Sequence, residues 1–359
     1  MFVYLGFLVL LAGLIFLASH APPTQGKGIV FFIFIILIGF SGLRGIVGSD
    51  TASYLLFYER FKDYDVVKLY LTKMEPVFVL LLALHSNMID SKFLYLLMMS
   101  FFQAWLLWLI YKRSSSRYLF LLSYIFVFYF NFHFNTTRAA IAIMLLLIAL
   151  TSESKKAKIA SALLAPGFHF SVLFFYPLLF TRITFKYIIA STLLLLLICF
   201  LAYQNLDYLI LKYASYQDYS FKKTTPISIT GLLFSFSIIT SVVVLRTSSR
   251  LFFGAALFAL IALGISEFYP IGYRLWIFAF LIYLYFLLEE LSSRTSKVNY
   301  LLFWAPVSLY FIISIYSMYN ETATLERRIS EGEDLEEAFK STYIPYEFYW
   351  DDKDIDDIR

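Results

Sequence analysis

Long apolar runs, broken by short polar clusters, fill most of this chain. Runs near 1–19, 28–46, 92–111, 117–133, 137–151, 186–203, 228–246, 250–266, 273–290 and 298–318 are at or near the length that carries a helix through a bilayer. They predict an all-α, polytopic membrane fold with about ten crossing helices. The first run lacks a basic leading segment and a small-residue cleavage site, so it is read as a retained helix. Two segments depart from simple spans. The stretch 75–88, "EPVFVLLLALHSNM", is only about 14 residues long and predicts a re-entrant or interfacial segment with both ends on one face. In 157–180, Pro166-Gly167 interrupts the apolar pattern and predicts either one kinked span or two half-helices.

Positive charge orients these spans. Lys112, Arg113 and Arg117 mark one cytoplasmic turn, and Lys155, Lys156 and Lys158 another; Arg246/Arg250 and Arg294/Lys297 are weaker marks. Two spans lie between the first two turns, so "NFHFNTTR" at 131–138 is expected outside. The long loops 47–75, 204–227 and 266–274 are then external as well.

Composition agrees with a membrane body: 60% of residues are hydrophobic and 15% charged. The net charge of +4 hides a division, since 13 of the 25 acidic residues and only 5 of the 29 basic ones lie from Glu321 onward. Residues 1–319 are therefore read as a basic membrane domain and 320–359 as an appended acidic tail. A basic body suits anionic lipid headgroups or a phosphate-bearing substrate, and much of its lysine is explained by topology alone. The one cysteine, Cys199, sits in an apolar run and can form no internal disulfide. No internal repeat is visible, whereas transporters built from two related halves often show one.

Polar groups at helix ends in such a chain are costly and mark candidate chemistry. Five clusters stand out: Arg44 with Gly48, Asp50 and Tyr54; Glu75-Pro76; Asn135-Thr136-Thr137-Arg138; Pro166-Gly167-Phe168-His169-Phe170-Ser171; and Glu267 with Gly272-Tyr273-Arg274. On this topology all five reach the outer face. Arg44, Arg138 and Arg274 form a candidate pyrophosphate clamp, because guanidinium is always charged and its forked donors match phosphate oxygens. Arg44 can instead simply end its helix and snorkel. Arg138 and Arg274 begin helices, where the macrodipole disfavours a cation, and Arg274 has a structural alternative in pairing with Glu267. His169, beside a helix break, is a candidate general base; His133 and Asp50 are rivals for that role, and a satisfied core histidine is the plain alternative. Asp50 can equally cap a short interfacial helix over 51–63, and Glu75 can be merely the acidic start of a helix. Tyr54, Glu75, Asn135, Glu267 and Tyr273 complete the set as candidate substrate contacts. No Cys cluster, HExxH, DxD, P-loop or GxGxxG occurs, so neither a metal nor a nucleotide cofactor is expected.

Taken in order, these motifs resemble the EpsG-like branch of the Wzy polysaccharide polymerases. The resemblance rests on Leu43-Arg44-Gly45…Gly48-Ser49-Asp50…Tyr54, Glu75-Pro76-Val77-Phe78, Phe134-Asn135-Thr136-Thr137-Arg138-Ala139-Ala140, Gly167-Phe168-His169-Phe170-Ser171-Val172-Leu173 and Gly272-Tyr273-Arg274, over roughly residues 40–280. Ala139 stands where that family usually has Gln, and the acidic tail lies outside its pattern. The resemblance implies a multi-spanning, GT-C-like glycosyltransferase of the bacterial cytoplasmic membrane, without metal or nucleotide. It would polymerise undecaprenyl-diphosphate-linked oligosaccharide repeat units on the extracytoplasmic side. The lipid-linked oligosaccharide, the bilayer and a chain-length regulator are the implied partners; nucleic acid is not. Two other classes share parts of the pattern: a flippase or exporter of lipid-linked oligosaccharides, and a membrane O-acyltransferase acting on glycans.

Overall fold

The computed structural model describes residues 2–45, 51–61, 75–89, 91–180, 228–246, 249–268, 272–292, 294 and 297–330. All regular structure among the described residues is helical: α1 (Phe2–His20), α2 (Pro23–Gly42), α3 (Thr51–Phe61), α4 (Pro76–Met88), α5 (Lys92–Arg113), α6 (Arg117–Val127), a π-helical turn (Phe130–Asn135), α7 (Thr137–Thr151), α8 (Lys155–Phe168), a 3-10 helix (Phe170–Leu179), α9 (Ile229–Leu245), α10 (Arg250–Phe268), α11 (Gly272–Ser292) and α12 (Lys297–Ser330). Five of these, α1, α2, α5, α10 and α11, are long and apolar enough to cross a bilayer; α4, α6, α7, the 3-10 helix, α9 and Tyr300–Tyr316 of α12 are shorter apolar stretches. Large side chains such as Val9, Phe16, Phe31 and Phe236 stand exposed, as lipid-facing residues do. The span expected at 186–203, with Cys199, lies outside the described residues. So does the tail from residue 331, and α12 runs unbroken past residue 319, where that tail was expected to begin.

The chain divides into two compact units, Met1–Phe170 with Val307–Arg359, and Ser171–Pro306. In the first, α7 is the core. Its residues from Ala139 to Leu150 are all buried, as befits a helix apolar on every side. It packs against α5 and α8; α8 packs on α4, and α4 on α3 and α5. Three residues, 152–154, join α7 to α8, so the two helices form an antiparallel pair with Lys155 and Lys156 at the closed end. In the second unit α11 is the buried helix, packed on α10, with α9 beyond. The small buried residues Ala255, Ala259 and Ala262 line α10 and allow close helix approach. The Tyr283 hydroxyl donates to Ser241 Oγ at 2.9 Å and ties α11 to α9.

Two boundaries differ from expectation. The run at 117–133 does not continue as one helix: α6 stops at Val127 and the chain widens into the π-helical turn. Widening frees backbone carbonyls, and side chains recover them. Gln103 Nε2 donates to Phe132 O at 2.9 Å and to Thr137 O at 3.3 Å, Thr136 Oγ1 to Asn131 O at 2.9 Å, and Thr51 Oγ1 to Phe134 O at 3.2 Å. The break in 157–180 falls at His169 rather than at Pro166-Gly167. Both of those residues stay inside α8, the His169 N–H closes its last turn on Ala165 O at 3.2 Å, and His169 itself is extended at φ −162°, ψ 121°. A proline at the C-terminal end costs the helix one bond and stops it within a turn, so His169 is released where the ladder runs out.

Candidate functional site

The start of α4 shows why Glu75 is placed for more than helix capping. Pro76 occupies the first helical position, where its missing N–H and fixed φ cost nothing. Glu75 is the N-cap, yet its side chain makes no capping bond. The carboxylate turns across to two other elements instead. Oε1 is 2.7 Å from His169 Nδ1, and Oε2 accepts from Arg138 Nη1 at 2.7 Å. The three side chains come from the N-terminus of α4, the first turn of α7 and the residue after α8.

Glycine makes that meeting possible. At Gly167, two residues before His169, a Cβ would collide with the side chain of Val77, two residues after Glu75. The absent side chain lets the end of α8 lie against the start of α4, which brings the imidazole within hydrogen-bonding reach of the carboxylate. Arg138 occupies a position the helix dipole disfavours, and Glu75 offsets that charge. Aromatic rings enclose the guanidinium: Phe78 at 5.0 Å, Tyr54 at 5.7 Å and Phe57 at 6.0 Å from its Cζ. Side-chain exposure is 19% for Arg138, 12% for His169 and 10% for Glu75, so the cluster is shielded without being sealed.

Burial alone would push the Glu75 carboxyl up. The hydrogen bond with His169 and the charge of Arg138 outweigh it and hold the group at about 2. Glu75 is therefore an anion at any physiological pH. An ionised carboxylate only accepts, so Nδ1 of His169 carries the proton and the ring's lone pair is left on Nε2 when the imidazole is neutral.

The other candidates take different places. Arg44 lies just beyond α2 and is buried at 2% exposure. It donates to the Ser41 carbonyl and, at 3.4 Å, to Thr51 Oγ1, and its guanidinium lies 5.0 Å from the Phe134 ring. It thus ties the end of α2 to α3 and the π-helical turn, a helix-ending role that favourable dipole geometry supports. Tyr95 lies within electrostatic reach of both Arg44 and Arg138. Tyr54 is buried on α3 with its ring edge toward Phe78 at 6.0 Å. Asn135 ends the π-helical turn, three residues before Arg138, and is partly exposed. Asp50, with Gly48 and Ser49, lies outside the described residues; the short helix expected after it is present as α3.

His133 is fully buried between Tyr129 and Tyr124, with ring centroids 4.6 and 6.1 Å away. Neither of its ring nitrogens has a hydrogen-bond partner. Its charged neighbour is a cation, Arg44, whereas His169 is partly exposed and lies in hydrogen-bond contact with a carboxylate.

In the second unit Glu267 accepts from Ser228 N at 2.8 Å and from Ser228 Oγ at 2.7 Å, closing the start of α9. Tyr273 is exposed and Arg274 half-buried in the first turn of α11. Among the described residues no three His, Cys, Asp or Glu side chains are grouped to hold a metal.

Of the residues singled out from the sequence, the structure brings Arg138, His169 and Glu75 together. Sequence reasoning missed Gly167 and Val77 as the contact that assembles them, and Gln103 and Thr51 as the groups that hold the π-helical turn. Val77 and Gly167 are separated by most of the first unit, and no local pattern announces such a contact. The sequence model of the EpsG family matches residues 27–327, which is most of the chain. Neither a curated protein nor a solved structure matches it.

Proposed function

This chain belongs to the EpsG family, and from that premise we propose that it lengthens a polysaccharide on a polyprenyl-diphosphate carrier. The donor is a growing glycan on undecaprenyl diphosphate, and the acceptor is a hydroxyl of a fresh lipid-linked repeat unit. The acceptor oxygen attacks the anomeric carbon of the donor's first sugar. Its proton passes to His169 Nε2, the bond from the anomeric carbon to the phosphate oxygen breaks, and undecaprenyl diphosphate leaves with the electron pair. A fixed base contributes in the ordinary way, by accepting the proton as the new bond forms. Arg138 faces the departing diphosphate: Glu75 engages Nη1, and the guanidinium retains further N–H donors for phosphate oxygens. In a site screened from water such a cation stabilises charge building on the leaving group. Asp50, Tyr54 and Asn135 are assigned to sugar hydroxyls. No metal or nucleotide takes part.

The observation that carries this reading is the Glu75-bridged pairing of Arg138 with His169 inside a body of apolar helices. An outer-face site is supported by the α7–α8 pair. Arg138 and His169 stand at its open end, and Lys155, Lys156 and Lys158 cluster at the other, the arrangement expected when the lysines stay in the cytoplasm. A GT-C-like arrangement of about ten crossings, in the bacterial cytoplasmic membrane, accommodates these elements. The acidic tail is assigned to a partner such as a chain-length regulator.

The test is incubation of the purified protein with a lipid-linked repeat unit, followed by electrophoresis of the glycan. A ladder, with one undecaprenyl diphosphate released per bond and both lost in His169→Ala, is expected. Carrier movement across vesicles without a ladder would establish the exporter reading instead, and acyl transfer to the glycan the acyltransferase one.

A further inference from the structure

Glu75 does not have the geometry of a sugar contact. Both of its oxygens are occupied by side chains of the protein, at 2.7 Å each, and the residue is nearly buried. A carboxylate bound at both oxygens cannot rotate, so the plane of the imidazole and the direction of its Nε2 lone pair are fixed with it. The backbone reinforces the arrangement: Pro76 pins the start of α4, and the Gly167–Val77 contact pins His169 against it. Among the described residues, the charged and titratable groups around His169 and its partners are Glu75 from α4, Arg138 from α7, and Tyr54 from α3 and Tyr95 from α5, both near Arg138.

We propose that Glu75 is the positioning residue of the reaction, holding His169 in the Nδ1–H form and coupling the base to the diphosphate-facing arginine. When Nε2 receives the acceptor proton, the ring becomes an imidazolium beside a carboxylate already in place, so the charge that develops there is stabilised without reorganisation. The second oxygen ties this event to Arg138. Base and leaving-group cation thus share one rigid anion, and their separation is set by the span of a single carboxylate. This inference rests on the reading of His169 as the base. It removes Glu75 from the substrate-binding set.

The test compares full-length wild type, Glu75→Gln, Glu75→Asp and His169→Ala in lipid nanodiscs by two readouts. The first is the pH profile of initial polymerisation rate on a lipid-linked repeat unit. Glu75→Gln keeps the shape of the side chain but removes the charge that favours imidazolium. Its kcat should fall on the order of 10²-fold or more with KM changed little, and its acid limb should move to lower pH by about one unit. Glu75→Asp should keep the wild-type limb at reduced kcat, and His169→Ala should lack the limb. The second readout needs no activity: nitrogen-15 NMR of the four histidines, with His169 assigned by its absence in His169→Ala. Wild type should show the Nδ1–H form, and Glu75→Gln should shift the His169 titration to lower pH. An unmoved limb and an unmoved titration in Glu75→Gln overturn the proposal, and an effect confined to KM returns Glu75 to the substrate. If wild type makes no ladder, the polymerase reading falls, while the NMR titration still decides whether Glu75 governs His169.

Discussion

Glu75 and Glu267 are two carboxylates in similar settings with opposite uses. Glu75 is the N-cap of α4 and meets Arg138 from the first turn of α7; Glu267 lies in the last turn of α10, shortly before α11, whose first turn carries Arg274. Each is engaged at both oxygens. Glu267 accepts from a backbone N–H and a hydroxyl of Ser228, groups that neither titrate at working pH nor move, so its bonds close the start of α9. Glu75 accepts from an imidazole and a guanidinium, one a proton exchanger and the other a permanent charge. The identity of the partners separates a structural carboxylate from one that can take part in chemistry; burial and helix position do not. From the sequence the two are indistinguishable, both reading as substrate contacts.

The comparison can be broken most severely at Glu75. Removing one member of a buried ionic cluster leaves the others uncompensated, so Glu75→Ala should cost about 3 kcal/mol of stability at neutral pH, read from thermal unfolding in detergent. The sign with pH follows from the depressed carboxyl. Its contribution is fully present above the unfolded value of about 4.3 and is lost as pH falls through about 2. The gap between wild type and Glu75→Ala should therefore widen as pH falls through the His169 titration, where the carboxylate favours the imidazolium, and close again below about 4 as Glu75 itself takes up a proton.

Next is Arg138. Arg138→Lys should lower polymer yield on the order of 10²-fold, nearly as far as Arg138→Ala, because an ammonium cannot serve Glu75 and a diphosphate with forked planar donors. Full activity in the lysine variant, measured by glycan ladders in a complemented deletion strain, would mean that charge alone suffices there.

A smaller effect is expected at the contact that assembles the cluster. Gly167→Ala forces its Cβ into Val77, and overpacking of about 1–3 kcal/mol should part His169 from Glu75 and slow polymerisation about tenfold. Val77→Ala combined with Gly167→Ala should recover most of the rate; a double variant no better than the single one would show that this contact does not set the geometry.

At Glu267 the same kind of change should matter less. Glu267→Ala should cost about 1 kcal/mol, the ordinary worth of a lost helix cap, and leave the ladder in place. A loss of activity as large as that at Glu75 would show that Glu267 touches the substrate after all. The smallest effect belongs to the tail: truncation after Ser330, which keeps α12 whole, should leave bond formation intact and alter at most the distribution of chain lengths.

The sequence by itself determined the class of this protein. Apolar runs of spanning length fix a helical membrane body, because a backbone in lipid must satisfy its own hydrogen bonds. Pro76 was legible because proline suits a helix start, and the Pro166-Gly167 break and the arginine at the head of α7 because each offends a local rule of helix stability. Local rules could not say how far a break travels before the helix ends, so the release point at His169 was missed by two residues. Nor could they show that 117–133 opens into a π-helical turn, since that turn is held by Gln103 and Thr51 from other elements. Which carboxylate meets which base was decided only by tertiary structure. Glu75 is 63 residues from Arg138 and 94 from His169, and their meeting depends on α4 lying against α8 at a glycine. A contact over that separation leaves no periodic or local trace in a single chain, because it is fixed by the packing of side chains that face each other only after the helices have assembled.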